Sequence, residues 1–502
     1  MQVHSVHESG GKGVIVSAET SLSKGLPTMT LVGFAGKSLD ESRERIRSAF
    51  AGSSLTLPKK RITVNISPAD VPKDGAHYDL AIALSILEAA EMIRMPKNKP
   101  IVFGELGLDG TIRPVRGILG KLLAALEHGH RYFIIPEANM VQATLLQDIH
   151  ILPASSLKEL HSALTHEPSN YYKKTTTATV PKQSIHTNSY IDFSEVIGQK
   201  RAKRALEIAA AGGHNVLLNG PPGVGKSMLA KALRSIMTPP THQEIIAITH
   251  LHSLTSDSMT ELMHERPFRA PHHSASDVSI IGGGQRPRPG EVSLAHSGVL
   301  FLDELPEFRR STIESLRQPL EDGLVTVARA KDSVTYPANF MLIATKNPCP
   351  CGFYGSTKAC SCSPIELQRY QKKLSGPILD RIDIHVTVDN VEHKSLLQKH
   401  SNEEQSDSIR KRVQNAQTTQ LTRFSGKRQN ATMSNKDIKT HVQLNPDTKE
   451  FIDLAASKLD ISARVYMKMI KLAQTIADLD DAPEITKEHI AEALQYRPVV
   501  AS

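Results

Sequence analysis

The segment Asn215-Val-Leu-Leu-Asn-Gly-Pro-Pro-Gly-Val-Gly-Lys-Ser constrains this chain more than any other. A short apolar run leads into Gly-x-x-x-x-Gly-Lys-Ser and then into a helix-forming stretch at 228–236, the order of strand, phosphate loop and helix in a P-loop fold. The loop comprises Gly220, Pro221, Pro222, Gly223, Val224, Gly225, Lys226 and Ser227. Its glycines let successive backbone N–H groups wrap phosphates, and the N-terminus of the following helix adds positive potential. Lys226 is placed to reach the β and γ phosphates and Ser227 to ligate Mg²⁺, so the expected cofactors are ATP and Mg²⁺. A chance glycine-rich turn would not carry the strand before it, the helix after it and every fixed position between.

Two further strands extend the reading. Gly298-Val-Leu-Phe-Leu-Asp-Glu, about 75 residues downstream, is an apolar run ending in two acids, where a Walker B strand belongs. Asp303 is then expected to hold Mg²⁺ and Glu304 to polarise the attacking water. Paired acids also cap ordinary strands as solvated groups, but here a buried strand delivers them. Phe340-Met-Leu-Ile-Ala-Thr-Lys-Asn is a third such strand, and it ends in Asn347, suited to bond the γ-phosphate or the water.

The rest of the chain is consistent with several domains. At roughly 100–200 residues each, 502 residues predict two to four. No apolar run approaches the roughly 18 residues of a membrane span. The first residues lack the charged and apolar regions of a secretory signal, so a cytoplasmic location is expected. The formal charge of +8 permits nucleic-acid binding without demanding it. Residues 1–165 alternate short β-rich runs (14–16, 63–66, 101–103, 132–135) with helical stretches (38–51, 79–91, 121–128), which predicts an α/β domain. Residues 166–190 have linker composition. Residues 191–388 read as a parallel sheet covered on both faces, and residues 389–502 as helices.

At this point the motifs carry a resemblance. PFRAPHHSASDVSIIGGGQRPRPGEVSLAHSGVLFLDELPEF (267–308), IESLRQPLEDG (313–323), NPCPCG (347–352) and SGPILDRIDIHV (375–386) resemble the magnesium-chelatase-like AAA+ ATPases of YifB/ComM type. The likeness runs over nearly the whole chain, to SARVYMKMIKLAQTIADL (462–479). It implies a hexameric ring with ATP between subunits and a C-terminal helical lid. Arg381, in LDRID, matches the finger supplied to a neighbour's γ-phosphate, and Arg464, in SAR, matches the sensor-two arginine expected to reach phosphates within its own subunit. Lys468 and Gln474 stand where arginines are expected.

The resemblance also bears on the long insert between the P-loop and the Walker B strand. Its Gly282-Gly-Gly-Gln-Arg-Pro-Arg stretch suits a loop presenting Arg286 and Arg288, and 324–336 reads as a hairpin with Arg329 and Lys331 near its tip. By likeness to AAA+ ATPases with a helix-two insert, these four residues would line a ring pore and grip DNA phosphates. An ordinary solvated loop and turn is the alternative.

All four cysteines, Cys349, Cys351, Cys360 and Cys362, fall in one C-x-C-x8-C-x-C stretch directly after Asn347. A closed set of four thiolates suits structural Zn²⁺, and a reduced, redox-sensitive loop remains open. In the N-terminal region, PKDGAHYDLAIAL (72–84) and GELGLDGTIRPV (104–115) resemble the proteolytic domain of Lon proteases. Aligning those motifs puts His77 at the nucleophilic serine and Leu119 at the lysine base, so no protease is expected.

Taken together, these readings point to an ATP-driven hexameric DNA motor, a helicase or branch-migration translocase acting on single-stranded and branched DNA. The resemblance implies a place in integrating DNA during natural transformation and recombination. A magnesium-chelatase-type remodelling motor acting on a protein or metal-insertion partner is the alternative.

Overall fold

The computed structural model describes residues 2–9, 12–33, 38–69, 73, 75–166, 171–175, 190–255, 260–284, 287–328, 333–356, 358–390, 404–426 and 428–498. They form two compact units. The first takes residues 1–183, 241–264 and 328–335, and the second takes 184–240, 265–327 and 336–502.

In the first unit, residues of alternating character lay down an eight-stranded mixed sheet. Arg61–Ser67 shows the rule: Ile62, Val64 and Ile66 are buried, while Arg61 and Asn65 are exposed. Gln2–Ser9 and Lys12–Ser23 form an antiparallel hairpin in the middle of the sheet. Lys12–Ser23 pairs onward with Arg61–Ser67, and Gln2–Ser9 pairs in parallel with Ile101–Val102. Helix Asp79–Ala89 is buried from Asp79 to Leu87, as its nearly unbroken apolar sequence requires. The insert helix His242–Ser253 belongs to this unit and packs on helix Ile118–Glu127. Gly120 permits the approach, since a Cβ there would lie 2.3 Å from His250 Cε1.

The second unit is built on a five-stranded, all-parallel sheet. Its order is Phe268–Arg269, Val299–Leu302, Met341–Lys346, Val216–Asn219, Ile384–Thr387. Three of these strands are the continuous apolar runs read from sequence, and burial on both faces explains why they do not alternate. The last strands leave the sheet for helices Ser406–Arg423, Pro446–Lys458, Ala463–Leu479 and Lys487–Leu494. One apolar cluster runs from Val216 and Ile343 through to Leu472 and Ile476, so these helices share the core of the sheet. Arg423 seals them with a bidentate pair to the buried Asp478, at 2.9 and 2.5 Å, and Gln474 donates to the same carboxylate. Gln474 is thus part of the helical core. No helix of the described residues is long and apolar enough to cross a membrane.

Candidate nucleotide site

Parallel strands deliver their C-terminal ends to one edge, and three of them converge there on the phosphate loop. Gly223 and Gly225 hold positive φ of 83° and 90°, and helix Lys226–Ile236 begins directly after them. Gly220 is confined for another reason: a Cβ would meet Val388 O at 2.3 Å. Lys226 Nζ donates to Gly220 O at 2.5 Å, to Pro221 O at 2.8 Å and to Asn347 Oδ1 at 3.0 Å. Burial lowers the lysine's pKa, while the charges of Asp303 and Glu304 oppose that shift. Asn347, expected as a sensor, and the P-loop lysine are therefore already in contact.

Ser227 Oγ donates to Asp303 Oδ2 at 3.0 Å. A hydroxyl and a carboxylate at that spacing are the hard oxygen donors that Mg²⁺ takes, so the pair fits the ion. Thr345, which the sequence reading did not single out, completes the arrangement. Its hydroxyl donates to Asp303 Oδ1 at 2.6 Å and accepts the Glu304 N–H at 2.8 Å. Glu304 itself sits in the left-handed region, at φ 54° and ψ 53°. That conformation costs a non-glycine residue about 1–2 kcal/mol and is held here by the neighbouring hydrogen bond. A cleft of about 500 Å³ opens beyond Glu304 and Asn347.

The two arginines lie at the opposite edge. A cavity of about 820 Å³ is lined by Arg381, Arg464, Lys468 and Lys471, with Asn215, Phe340 and Asp383 from the starts of strands. Four strand residues at roughly 3.3 Å each separate Asn215 from Gly220, so this cavity stands more than about 10 Å from the phosphate loop. Arg381 donates through Nη1 to Pro377 O at 2.7 Å and through Nη2 to Glu321. Arg464 is half-exposed and 4.0 Å from Asp380. For Arg464, which the resemblance expects to reach phosphates within its own subunit, the structure shows this placement. Its helix starts at the sheet's N-terminal edge, beside Arg381, and not at the edge where Lys226 lies.

Following Asn347, the four cysteine sulfurs lie within 4.8 Å of one another. Cys349, Cys351 and Cys360 are separated by 3.3, 3.5 and 3.7 Å. A tetrahedron with Zn–S bonds of ~2.3 Å has edges of roughly 3.8 Å, so the cluster fits Zn²⁺. Backbone N–H groups of Phe353 and Ser361 hold Cys351 down at about 5, while burial and the neighbouring thiols push Cys360 and Cys362 up, so one thiolate sits among thiols before any metal enters. The same loop abuts the P-loop, because a Cβ on Gly352 would lie 2.5 Å from Pro222 Cδ.

Of the four expected DNA contacts, Arg288 is exposed in the short strand Arg288–Pro289, which pairs with Gly282–Gly283. Arg286, Arg329 and Lys331 lie outside the described residues. Strands Leu324–Ala328 and Ser333–Pro337 form the expected hairpin. In the first unit, His77 is half-buried with its Nε2 enclosed and unpartnered, and desolvation drives its pKa well below the usual histidine range. Leu119 is fully buried. Neither position offers a protease's serine or lysine.

Comparison with known proteins agrees along the whole chain. Family models described as magnesium chelatase, subunit ChlI, subunit ChlI of Mg-chelatase, and magnesium chelatase, subunit ChlI C-terminal match residues 192–396, 18–139 and 403–497. Competence protein ComM of Haemophilus influenzae is 40% identical over 99% of this chain and 97% of its own. The uncharacterized protein YifB of Escherichia coli is 38% identical over 99% and 98%. Lon protease 2 of Herpetosiphon aurantiacus is 30% identical over 26% of this chain and 17% of its own.

Proposed function

Because the chain belongs to the family of magnesium-chelatase-like AAA+ ATPases that includes ComM and YifB, we propose that it is an ATP-driven hexameric motor that moves single-stranded and branched DNA. Its task is helicase or branch-migration work in natural transformation and recombination. The observation that carries this reading is full-length similarity to a competence protein, joined to a P-loop motif at one edge of a sheet and Arg381 with Arg464 at the other.

Lys226 and the loop N–H groups bind the phosphates, and Ser227 and Asp303 hold Mg²⁺, which supplies charge neutralisation on the β and γ oxygens. Glu304 orients and deprotonates the attacking water, and Asn347 fixes the γ-phosphate. Arg381 and Arg464 cannot complete their own subunit's site from the far edge, so they serve a neighbour's. A P-loop edge meeting an arginine edge is a heterologous contact, which closes into a ring when the rotation between subunits returns on itself. Zn²⁺ on Cys349, Cys351, Cys360 and Cys362 braces the loop between Asn347 and Pro222. Arg286, Arg288, Arg329 and Lys331 are the proposed grips on DNA phosphate.

The test is ATP turnover with and without single-stranded DNA, together with a synthetic three- or four-strand junction. DNA should stimulate turnover, binding should weaken steeply with salt, and Arg329→Ala with Lys331→Ala should remove the stimulation while basal hydrolysis persists. A motor that ignores DNA and leaves the junction unmoved sinks this reading. The chelatase-type remodelling motor, which the family descriptions favour, then becomes the account.

A further inference from the structure

Two segments carry the arginines of the far edge, and a buried ionic cluster ties them together. Asp383 follows Arg381 by two residues, and Lys468 follows Arg464 by four, one helical turn along the same face. Lys468 Nζ lies 3.1 Å from Asp383 Oδ1 and donates to Ile382 O at 3.1 Å. The other carboxylate oxygen of Asp383 takes His214 Nδ1 at 3.3 Å, and His214 Nε2 pairs with Thr475 Oγ1 at 2.8 Å. Thr475 belongs to the same helix as Lys468, Ala463–Leu479, so that helix is fastened to the Arg381 segment at two points.

The two arginines are held differently. Arg381 is 9% exposed and donates to Pro377 O and to Glu321, whereas the partner of the half-exposed Arg464 is an exposed aspartate at 4.0 Å. A surface pair like that of Arg464 fixes little geometry. By contrast, the side chains of Asp383 and Lys468 are each only 15% exposed and His214 is 1% exposed. A buried pair with its remaining donors and acceptors satisfied holds one arrangement.

We propose that Asp383 and Lys468 are positioning residues that fix the separation of Arg381 and Arg464, so that both reach a neighbouring subunit's nucleotide phosphates as one rigid pair. The proposal rests on the reading that these arginines act across a subunit boundary. It also gives a role to the lysine that stands where an arginine is expected.

The experiment measures ATP turnover by full-length Lys468→Ala, Asp383→Asn, Arg381→Ala and Arg464→Ala, each alone and mixed with Lys226→Ala. Binding of a fluorescent ATP analogue reports on each variant's own P-loop. Lys468→Ala should lower kcat at least about tenfold with KM for ATP within about threefold, the signature of misplaced transition-state groups. Lys468→Arg should keep most of the activity. Mixing with Lys226→Ala should restore turnover, because one variant supplies an intact P-loop and the other intact arginines. A damaged fold would give no such recovery.

Wild-type kcat in Lys468→Ala and Asp383→Asn, while the two arginine variants lose theirs and recover on mixing, overturns the clamp alone. Wild-type kcat in both arginine variants overturns the underlying reading instead. Lys468→Met, which keeps the side-chain bulk, covers the case in which alanine fails to fold. If neither Lys468→Ala nor Lys468→Met binds the analogue, the pair is a folding element and the proposal falls.

Discussion

Thr345→Val removes one oxygen from the centre of the nucleotide site and leaves the side-chain shape nearly unchanged. Two hydrogen bonds go with it, the 2.6 Å bond to Asp303 and the 2.8 Å bond from the Glu304 N–H. A bond to an ionised group contributes roughly 1.5–3 kcal/mol, and a buried N–H left unpaired costs about 1–3 kcal/mol. Thr345 is fully buried, so water does not readily replace either bond. Glu304 also loses an anchor for its left-handed backbone, whose ordinary cost is about 1–2 kcal/mol. Even half of that total, about 2–4 kcal/mol, spent in the transition state slows turnover by roughly 20- to 700-fold, at about 1.4 kcal/mol per factor of ten. ATP affinity should change by less than about threefold, because Lys226 and the loop N–H groups are untouched. Steady-state ATPase kinetics with a nucleotide-binding titration checks both numbers, and Thr345→Ser, which keeps the oxygen, should stay near wild type. A Thr345→Val protein that hydrolyses ATP at the wild-type rate would refute the claim that this hydroxyl sets the two acids.

Lys226→Ala should abolish nucleotide binding, whereas Glu304→Gln should bind ATP and fail to turn it over; equal ATP affinity in wild type and Lys226→Ala contradicts the site. Metal analysis of protein purified without chelator should find about one zinc per chain, and Cys360→Ser should lower both that content and the melting temperature. Because Gly352 abuts Pro222, Cys360→Ser should also raise KM for ATP, and unchanged metal content would count against the four-thiolate site. Burial, helped by the charges of Lys346 and Lys468, holds His385 at about 4. An unfolded histidine titrates near ~6.5, so the folded state binds fewer protons between those values. Stability is therefore full above about pH 6.5 and declines toward pH 4, by roughly 3 kcal/mol, and His385→Asn should flatten that decline in thermal melts. A wild-type melting temperature that holds constant across the window overturns it.

What the sequence disclosed, and what it did not, follows from how local each feature is. The strand, loop and helix around Lys226 are written in consecutive residues, and so are the acids after Leu302 and the cysteine spacing. Thr345 was passed over because a threonine inside Met-Leu-Ile-Ala-Thr reads as an ordinary β-former. Only the neighbouring strand, ending in Asp303 and Glu304, gives its hydroxyl two partners. Arg464 was matched by motif, but a motif does not say which edge of a sheet a later helix starts from. The Lys468 bond to Ile382 O decides that, across 86 residues. The hairpin strand Gln2–Ser9 was missed because His4, Ser5 and His7 dilute its apolar pattern, although Val3, Ser5 and Val6 are buried. The insert helix His242–Ser253 carries no sign that it belongs with the N-terminal unit. Its partner surface is assembled from separate places in the chain: the missing side chain at Gly120, the apolar cluster that takes Ile245, and Leu145 O, which bonds His242.

The division of the sheet into two edges has a consequence for how such a motor would couple its sites. Within one subunit, the helices carrying Arg464 and Lys468 share a core with the sheet and are pinned to the strand beginning at Ile384, next to the P-loop strand. Any rotation of those helices relative to the sheet must break the Asp383, His214 and Lys468 cluster, so the arginines move with their own sheet as a body. If the arginines engage a neighbour's nucleotide as proposed, that engagement would bear on Val216–Asn219, the strand that ends in the subunit's own phosphate loop. Asn215 makes the link explicit: its side chain donates to Arg381 O at 3.0 Å, and its Oδ1 accepts the Leu342 N–H at 2.8 Å. One residue therefore touches the finger segment, begins the P-loop strand and holds the strand that leads to Asn347. In a ring assembled from these edges as proposed, the four residues of that strand would connect one interface with the next.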